Sequence, residues 1–260
     1  MEDLTLVACA SPDEIIYNGL AHNLVSRFNV YMSSLPTEES LTRFLSTTLT
    51  CRFQEKNFPL EVSSVIPTIV QSSLKVFNDC KSLILAENAK RPFTFLTVPP
   101  NLLGLFHVVQ GCAGLPKESA ENKKMFTRLW VHEAMRSFYD RMTKEEHMEA
   151  VFASIRGCVK NIFKENFDSA FEHLGKVNGH VTQLNMRNLL FGCYMPTEEG
   201  ATTAAPEESE DPPAAEPSAA GGENCVEVTA FDAYERVVQR KIKSYNRERG
   251  KAEVNILPIR

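Results

Sequence analysis

One stretch, residues 126–142, constrains the fold of this chain more than any other. Its apolar side chains recur every three or four residues, so they form one stripe along about four to five turns of helix. The only tryptophan of the chain lies on this stripe. The pattern predicts an amphipathic helix that packs against a hydrophobic core. The stripe residues are Phe126, Leu129, Trp130, Ala134, Phe138 and Met142.

The opposite face of the predicted helix is polar and carries His132, Glu133, Arg136, Asp140 and Arg141. Glu133 and Arg136 are three residues apart, and Arg136 and Asp140 are four apart, so both pairs can meet across a turn. Each such pair on a solvated face contributes about a few tenths of a kcal/mol. We therefore expect a solvated face with two weak ion pairs.

Composition places the chain among intracellular globular proteins. Its 260 residues are 43% hydrophobic and 23% charged, enough for a sizeable core in one or two domains. The net charge of −5 argues against nucleic acid or an acidic membrane surface as the main partner. The seven cysteines are scattered, odd in number and form no Cys-x-x-Cys, which indicates buried thiols rather than disulfides or a zinc site. We expect no signal peptide, because the chain begins Met1-Glu2-Asp3, and no apolar run approaches the roughly 20 residues of a membrane span.

No catalytic or metal-binding constellation is found in the sequence. The phosphate-binding pattern Gly-x-x-x-x-Gly-Lys-Ser/Thr does not occur, and no apolar run ends in the Asp-Glu pair that would hold magnesium. His132-Glu133 begins like a His-Glu-x-x-His zinc motif, but Arg136 stands where the second histidine would be. Residues 111–117 are typical of a helix end and turn. His107 is interpreted as a packed core histidine rather than a base.

The rest of the chain is mostly helical by pattern. Residues 4–10 and 28–32 predict two short strands, the first of them buried. Thr37 precedes two glutamates and an apolar stripe, so it is the expected N-cap of a helix over residues 37–49. Residues 196–225 are rich in Pro, Ala and Glu and are expected to be disordered. Further helices are predicted over residues 63–85, 145–167 and 231–246, and a last strand over residues 254–257.

The residue types of the central stretch are more informative than the spacing of its apolar positions. Residues 129–142 resemble the "LWxHExxRVxxDRL" helix of dynein heavy chains, which lies in the helical lid of the third AAA+ module of the motor ring. The resemblance implies a structural role in that lid for the matching positions. They are Leu129, Trp130, His132, Glu133, Arg136, Phe138, Asp140 and Arg141.

Two segments near the amino terminus resemble the sensor-1 strand and arginine-finger segment of the same family, "VACMNP…PRLxRHFxV". Ser11 stands where the family has the sensor asparagine, and Asn23 and Ser26 stand where it has arginines. Arg27 lies one place away and could substitute. A finger works through a fixed positive charge on the phosphoryl group, which Asn and Ser cannot supply.

Residues 90–95 and 101–111 resemble the family's "KxHYxFNLRDxSRVxQG". Leu103 stands at the sensor-2 arginine, which in the family reaches the nucleotide from the lid, and Gly104 stands at its aspartate. The resemblance therefore implies a local nucleotide site that is incomplete and hydrolyses ATP poorly or not at all. Three later segments resemble the family as well. Residues 188–196 resemble its "FGDFM" segment, and the predicted helix that ends at Asn246 resembles the family's helix ending in "YN". Residues 253–257 resemble the "MNLVLF" strand that precedes the next phosphate loop.

The resemblance implies a mainly α fold, the α-helical lid of an AAA+ module preceded by a partial α/β remnant of the large subdomain. It divides the chain into the end of the large subdomain (1–50), the lid (51–195), a disordered insertion (196–225) and a connecting helix and strand toward the next module (226–260). The expected function is that of part of a dynein motor ring, relaying nucleotide-dependent motion in microtubule-based movement.

ATP or ADP and magnesium would be bound by the parent module only, and none by this chain alone. The implied partners are the other AAA+ modules, dynein intermediate and light chains and, through the motor, microtubules. The implied location is the cytoplasmic cytoskeleton, including the axoneme of a cilium or flagellum.

Two origins stay open. The chain is either a fragment of a much larger heavy chain or a free-standing helical adaptor whose acidic segment 196–225 recruits partners. The unpartnered final strand favours the fragment. An enzyme of another class has no supporting constellation.

Overall fold

The computed structural model describes residues 6–8, 22–31, 33–34, 36–90, 99–117, 122–192, 225–228 and 231–249. The chain forms two compact units, Met1–Glu38 and Glu39–Arg260. The predicted disordered segment up to residue 224 and the predicted strand at residues 254–257 lie outside the described residues. The predicted division into four segments stays a prediction.

The first unit contains a short helix, α1 (His22–Val25), and its other described residues before Glu38 have irregular backbone. Both strand predictions are wrong wherever they can be checked. Residues 6–8 and 28–31 form no strand, and Val7 and Tyr31 are 85% and 91% exposed. A strand needs a neighbour to take its backbone hydrogen bonds, and the described part of this unit holds none for either segment.

The second unit is mainly helical, which confirms the predicted fold class. Its helices are α2 (Glu38–Glu55, beginning in the first unit), α3 (Leu60–Ser63), α4 (Ile66–Ala89), α5 (Leu102–Cys112), α6 (Lys123–Ala134), α7 (Glu145–Asn161), α8 (Phe167–Ala170), α9 (Gln183–Met186) and α10 (Phe231–Arg249). A π-helical segment (Met135–Tyr139) continues α6, and a 3₁₀ turn (Glu172–Leu174) follows α8. The two strands, β1 (Phe191–Gly192) and β2 (Val226–Glu227), pair antiparallel.

The central stretch forms the predicted helix from Phe126 to Tyr139, in α6 and the π-helical segment, and residues 140–142 lie beyond its end. All six stripe residues are buried, from Phe126 at 0% exposed to Met142 at 7%. The Nε1–H group of Trp130 donates to Ser73 Oγ over 2.9 Å, and the Ser73 hydroxyl donates to the Ile69 carbonyl over 2.7 Å. The Trp130 ring lies 5.1 Å from that of Phe163. This helix therefore lies at the centre of a core to which α4, α5 and α7 contribute.

The helix changes its winding after Ala134. In the π-helical segment the Asp140 amide donates to the Met135 carbonyl over 3.0 Å, a bond that spans five residues instead of four. Such segments contain one extra residue per turn and are frequent at functional sites. Neither propensity nor hydrophobic spacing predicts them.

The other helices follow their patterns with two adjustments. Helix α2 begins directly after Thr37, as predicted, and continues to Glu55. The helix predicted over residues 63–85 is confirmed as α4, which begins three residues later at Ile66, with Pro67 in its first turn, and runs to Ala89. Proline has no amide hydrogen to donate and a fixed φ, so it fits the first turn of a helix and no later one. Helix α10 confirms the prediction for residues 231–246.

None of the helices in the described ranges is long and apolar enough to cross a membrane.

Candidate functional site

An open cleft of about 230 Å³ lies where the amino end of α5 meets the π-helical segment. It brings together three residues that the sequence singled out, Leu103, Arg136 and Arg141. The remaining lining residues are Asn101, Gly104, His107 and Ser137. Two arginines and a helix end in one concavity make this cleft the candidate site for an anionic ligand.

The local sequence explains how the cleft is built. The Asn101 side chain caps α5 by accepting from the Gly104 amide over 3.0 Å. Helix α5 buries Leu105 and Val108 at helical spacing, so Leu103 and His107 fall on its outer side. The prediction of a core histidine at position 107 is wrong for this reason, since His107 is exposed.

Arg141 reaches across this cleft to α5. Its Nη1 atom lies 4.0 Å from the point where a side chain at Gly104 would begin. Arg141 forms no ion pair with any carboxylate in the described part of the chain. Its neighbour Leu103, at the sensor-2 position of the resemblance, exposes 56% of its surface. The positive charge of the cleft therefore lies on Arg136 of the π-helical segment and on Arg141 in the turn after it, and not on α5.

Glu133 departs from the predicted solvated face, because it is 5% exposed. Its Oε2 accepts from Arg136 Nη2 over 2.6 Å, and its Oε1 lies 3.2 Å from His132 Nδ1. The predicted Glu133–Arg136 pair is confirmed. The predicted Arg136–Asp140 pair does not form, because the Arg136 guanidinium turns toward the buried carboxylate.

The space for Glu133 comes from Gly111 of α5. A Cβ at position 111 would lie 2.5 Å from Glu133 Cδ, so only glycine leaves room for this carboxylate. Burial alone would raise the pKa of Glu133. The hydrogen bonds from His132 and Arg136 outweigh it and hold that pKa below its ordinary value. The same burial, with Glu133 nearby, raises the pKa of the Cys112 thiol.

The remaining motif positions divide into two groups. Leu129 and Phe138 are fully buried and serve packing alone. His132 lies on the strand side, where its ring centroid is 5.3 Å from that of Phe191 in β1. Asp140 is exposed beside Arg141.

The predicted nucleotide-sensing positions are not all described. Ser11 lies outside the described residues. Asn23, Ser26 and Arg27 follow one another in the first unit, and all three are exposed. The Ser26 hydroxyl donates to the Asn23 carbonyl over 3.1 Å, so it is used within its own turn. Leu103 belongs to the second unit.

Sequence reasoning missed a partly buried polar clamp around Glu227 of β2. Its Oε2 accepts from Arg128 Nη1 over 3.0 Å, and its Oε1 lies 2.7 Å from His173 Nε2. Arg128 Nε also donates to the Ala170 carbonyl over 2.8 Å. The partners are far apart in sequence, so no local pattern could indicate them. The clamp ties the segment that leads into α10 to the central helix.

The described residues contain no cluster of side chains that could hold a metal ion. The fold and the cleft thus define a mainly helical domain with a cationic concavity and no catalytic constellation in its described part. Comparison with known proteins identifies its relatives. The chain is 32% identical over 199 residues to dynein axonemal heavy chain 12 of Mus musculus, a match that covers 76% of this chain and 6% of the relative.

Two further relatives agree. Identity is 26% over 196 residues to dynein axonemal heavy chain 3 of Mus musculus, covering 75% of this chain and 5% of the relative. Identity is 29% over 174 residues to dynein axonemal heavy chain 2 of Mus musculus, a match that covers 67% of this chain and 4% of the relative. This chain belongs to the dynein heavy-chain family and corresponds to a short segment of those proteins. No protein-family model and no solved structure matches it.

Proposed function

We propose that this chain acts as the helical lid of the third AAA+ module in the motor ring of an axonemal dynein heavy chain. The proposal rests on the contacts that hold the motif helix within the fold. Its apolar residues form the centre of the core, and its polar residues contact α5 through Glu133 and β1 through His132. A helix held from several sides moves with its surroundings as one body.

The role of such a lid is to pass on motion that starts at a nucleotide. The Glu227 clamp would pass this motion on from the central helix, because it joins that helix to the segment that leads into α10. In the proposed arrangement α10 leads toward the next module. Displacement of the central helix would then be transmitted through the clamp, since separating the Arg128 guanidinium from the partly buried Glu227 carboxylate would leave that carboxylate without its charged partner.

The nucleotide site of the module is proposed to be regulatory rather than hydrolytic. Ser11, Asn23 and Ser26 replace the polar and cationic groups that the resemblance requires, and Arg27 is the remaining candidate finger. ATP or ADP with magnesium would be held by the parent module. An intact heavy chain whose ATP turnover at this site is abolished by mutation there would contradict this part of the proposal.

The proposed partners are the other AAA+ modules of the same heavy chain and the intermediate and light chains of dynein. Microtubules would be contacted through the whole motor. The relatives carry the word axonemal in their names, which supports a place in the axoneme of a cilium or flagellum.

An immunoblot tests the proposal directly. An antibody against residues 120–190 is used on whole-cell lysate and on axonemes extracted with and without ATP. We expect one band of several hundred kilodaltons that is enriched in axonemes. A band near 29 kDa, the mass of the 260-residue chain, would contradict the motor and favour a free-standing helical adaptor. Deletion of residues 196–225 would then abolish partner binding, whereas in the motor we expect it to be nearly silent.

A further inference from the structure

We propose that a basic stripe on α10 is a docking surface for the acidic segment 198–223 of the same chain. The occupant is held on the stripe by charge. The inference goes beyond the proposed function and does not depend on it, because the helix and the segment both belong to this chain. The basic stripe consists of Arg236, Arg240, Lys243 and Arg247.

The first step is the arrangement of charge on α10. The stripe residues are spaced four, three and four residues apart, so they lie within about 60° of one another around the helix and span about 16 Å of its length. Val238 and Ile242 lie on the opposite side and are half-buried. On that apolar side Tyr234 packs against Gly192 of β1, where a Cβ would lie 2.4 Å from its ring. The apolar side therefore holds the helix on β1, and the basic stripe points away from this contact.

The second step is that the charge of the stripe is accessible. All four stripe side chains are exposed. Arg236 Nε donates to the Asp232 carbonyl over 3.2 Å, which is a contact with a neutral group. Within the described ranges, no stripe residue forms an ion pair with a carboxylate. Like charges three and four residues apart on a helix repel one another. An anionic chain along the stripe would remove this repulsion and add its own attraction.

The third step is the composition of the segment. Residues 193–224 contain eight acidic residues and no lysine, arginine or histidine. Between residues 196 and 224 there is no Leu, Ile, Val or aromatic residue, so charge is the main attraction that this segment offers. Four of the acids fall within five residues at its middle, and we call them the acidic cluster: Glu207, Glu208, Glu210 and Asp211.

The fourth step is where the segment begins and ends. Gly192 pairs with Val226, so both ends of the intervening chain meet at the strand pair. Gly192 is also the residue that Tyr234 of α10 contacts. Fourteen residues separate the acidic cluster from either strand, a reach of about 46–50 Å when extended. A tether of this kind gives an effective concentration of about a millimolar. The chain's own segment therefore competes well against acidic segments of other proteins.

Zero-length carbodiimide crosslinking of the full chain, followed by mass spectrometry, tests the docking. The reagent couples a carboxylate to an ammonium group that is in contact with it. We expect Lys243 to be coupled to acids of segment 198–223 at low ionic strength. The coupling should fall several-fold in about 1 M salt, where the Debye length is about 3 Å. Lys241 is the internal control, because it lies about 160° from Lys243 around the helix and should not be coupled to the segment.

Matched variants separate the stripe from general effects. In the neutralised variant the acidic cluster carries Glu207→Gln, Glu208→Gln, Glu210→Gln and Asp211→Asn, and coupling at Lys243 should fall several-fold. Arg240→Gln combined with Arg247→Gln should reduce it similarly, because the stripe loses charge on both sides of Lys243. Lys241→Gln is the control and should leave the coupling at Lys243 unchanged. Circular dichroism melts check that each variant is folded.

A second measurement uses an acidic chain added in trans. Fluorescence anisotropy of labelled poly-L-glutamate reports how accessible the stripe is. We expect the neutralised variant to bind it about tenfold more tightly than the natural chain does, since the tethered competitor is weakened. Adding Arg240→Gln and Arg247→Gln to the neutralised variant should abolish this gain.

The inference is overturned if Lys243 is not coupled to the segment, or if Lys241 is coupled to it equally. Coupling only between separate chains, seen as a crosslinked dimer on a denaturing gel, would assign the stripe to a second copy and also overturn it. Equal binding of poly-L-glutamate by the natural chain and the neutralised variant would mean that the stripe is open to an acidic partner, which contradicts docking of the chain's own segment.

Discussion

The substitution Gly111→Ala tests the packing of the central helix most sharply. In an ordinary helix this change stabilises by about 0.5–1 kcal/mol, since alanine loses less backbone entropy on folding. Here the new methyl group would lie 2.5 Å from Glu133 Cδ and 2.6 Å from its Cγ. Glu133 cannot move aside without releasing Arg136, which it binds at 2.6 Å, or His132 at 3.2 Å.

The loss in free energy of unfolding that this steric conflict causes can be estimated from the two ways in which the structure can relieve it. If Glu133 shifts, a charge-assisted hydrogen bond is lost, at about 1.5–3 kcal/mol. If the helices separate instead, overpacking costs about 1–3 kcal/mol. Either outcome outweighs the entropic gain, so we expect a net destabilisation of about 1–2 kcal/mol. For a unit of this size that lowers the thermal midpoint by about 2–8 °C.

Gly157→Ala is the matched control. Gly157 also lies within a helix, α7, but a Cβ there would meet nothing within 4 Å. We expect it to raise stability by about 0.5–1 kcal/mol. Urea denaturation followed by the fluorescence of Trp130 and by circular dichroism measures both variants. If Gly111→Ala stabilises as Gly157→Ala does, the proposed packing of Glu133 on Gly111 is wrong.

Three further predictions follow from the same core. Trp130→Phe should destabilise by about 2–4 kcal/mol in urea denaturation, through lost volume and the lost bond to Ser73. Folding lowers the pKa of Glu133, so the stability that this carboxylate contributes is complete above its unfolded pKa near 4.5 and is lost as the pH falls through the lower folded pKa. Glu133→Gln should therefore flatten the dependence of the free energy of unfolding on pH between pH 5 and 3. In native alkylation at pH 8 followed by mass spectrometry, exposed Cys51 should react promptly. Buried Cys80 should react only after unfolding, because burial raises its pKa to about 12.

Hydrophobic spacing predicted most of the helical architecture. It identified the stripe of the central helix without error, because burial of an amphipathic helix follows directly from its period. It failed at Glu133, since a helix packed on more than one side also buries some polar positions. No local pattern shows that a glycine on another helix makes room for the carboxylate. The two amino-terminal strand predictions failed at residues 6–8 and 28–31 for another reason: an apolar run forms a strand only where a neighbour takes its backbone hydrogen bonds, and the described part of that unit holds none.

The candidate cleft could be predicted only in part. The resemblance drew attention to Leu103 and to the arginines of the central helix as separate groups, and tertiary packing alone places Leu103 beside Arg141. The Glu227 clamp could not be predicted from the sequence, because its partners Arg128 and His173 lie 99 and 54 residues away from Glu227 in the chain. Ionic contacts of such separation leave no periodic signal.

The contacts also explain why the central motif is a fixed string and not merely an amphipathic pattern. A solvated polar face would tolerate many charged residues at each position, since exposed pairs contribute little. The polar residues of this helix have distinct tasks instead. Glu133 occupies a space that Gly111 leaves open, Arg136 neutralises it, and Arg141 is left for the cleft. Exchanging Arg136 and Glu133 should therefore destabilise the fold by more than about 2 kcal/mol although charge and helix propensity are conserved, because it would bury a guanidinium where only a carboxylate fits.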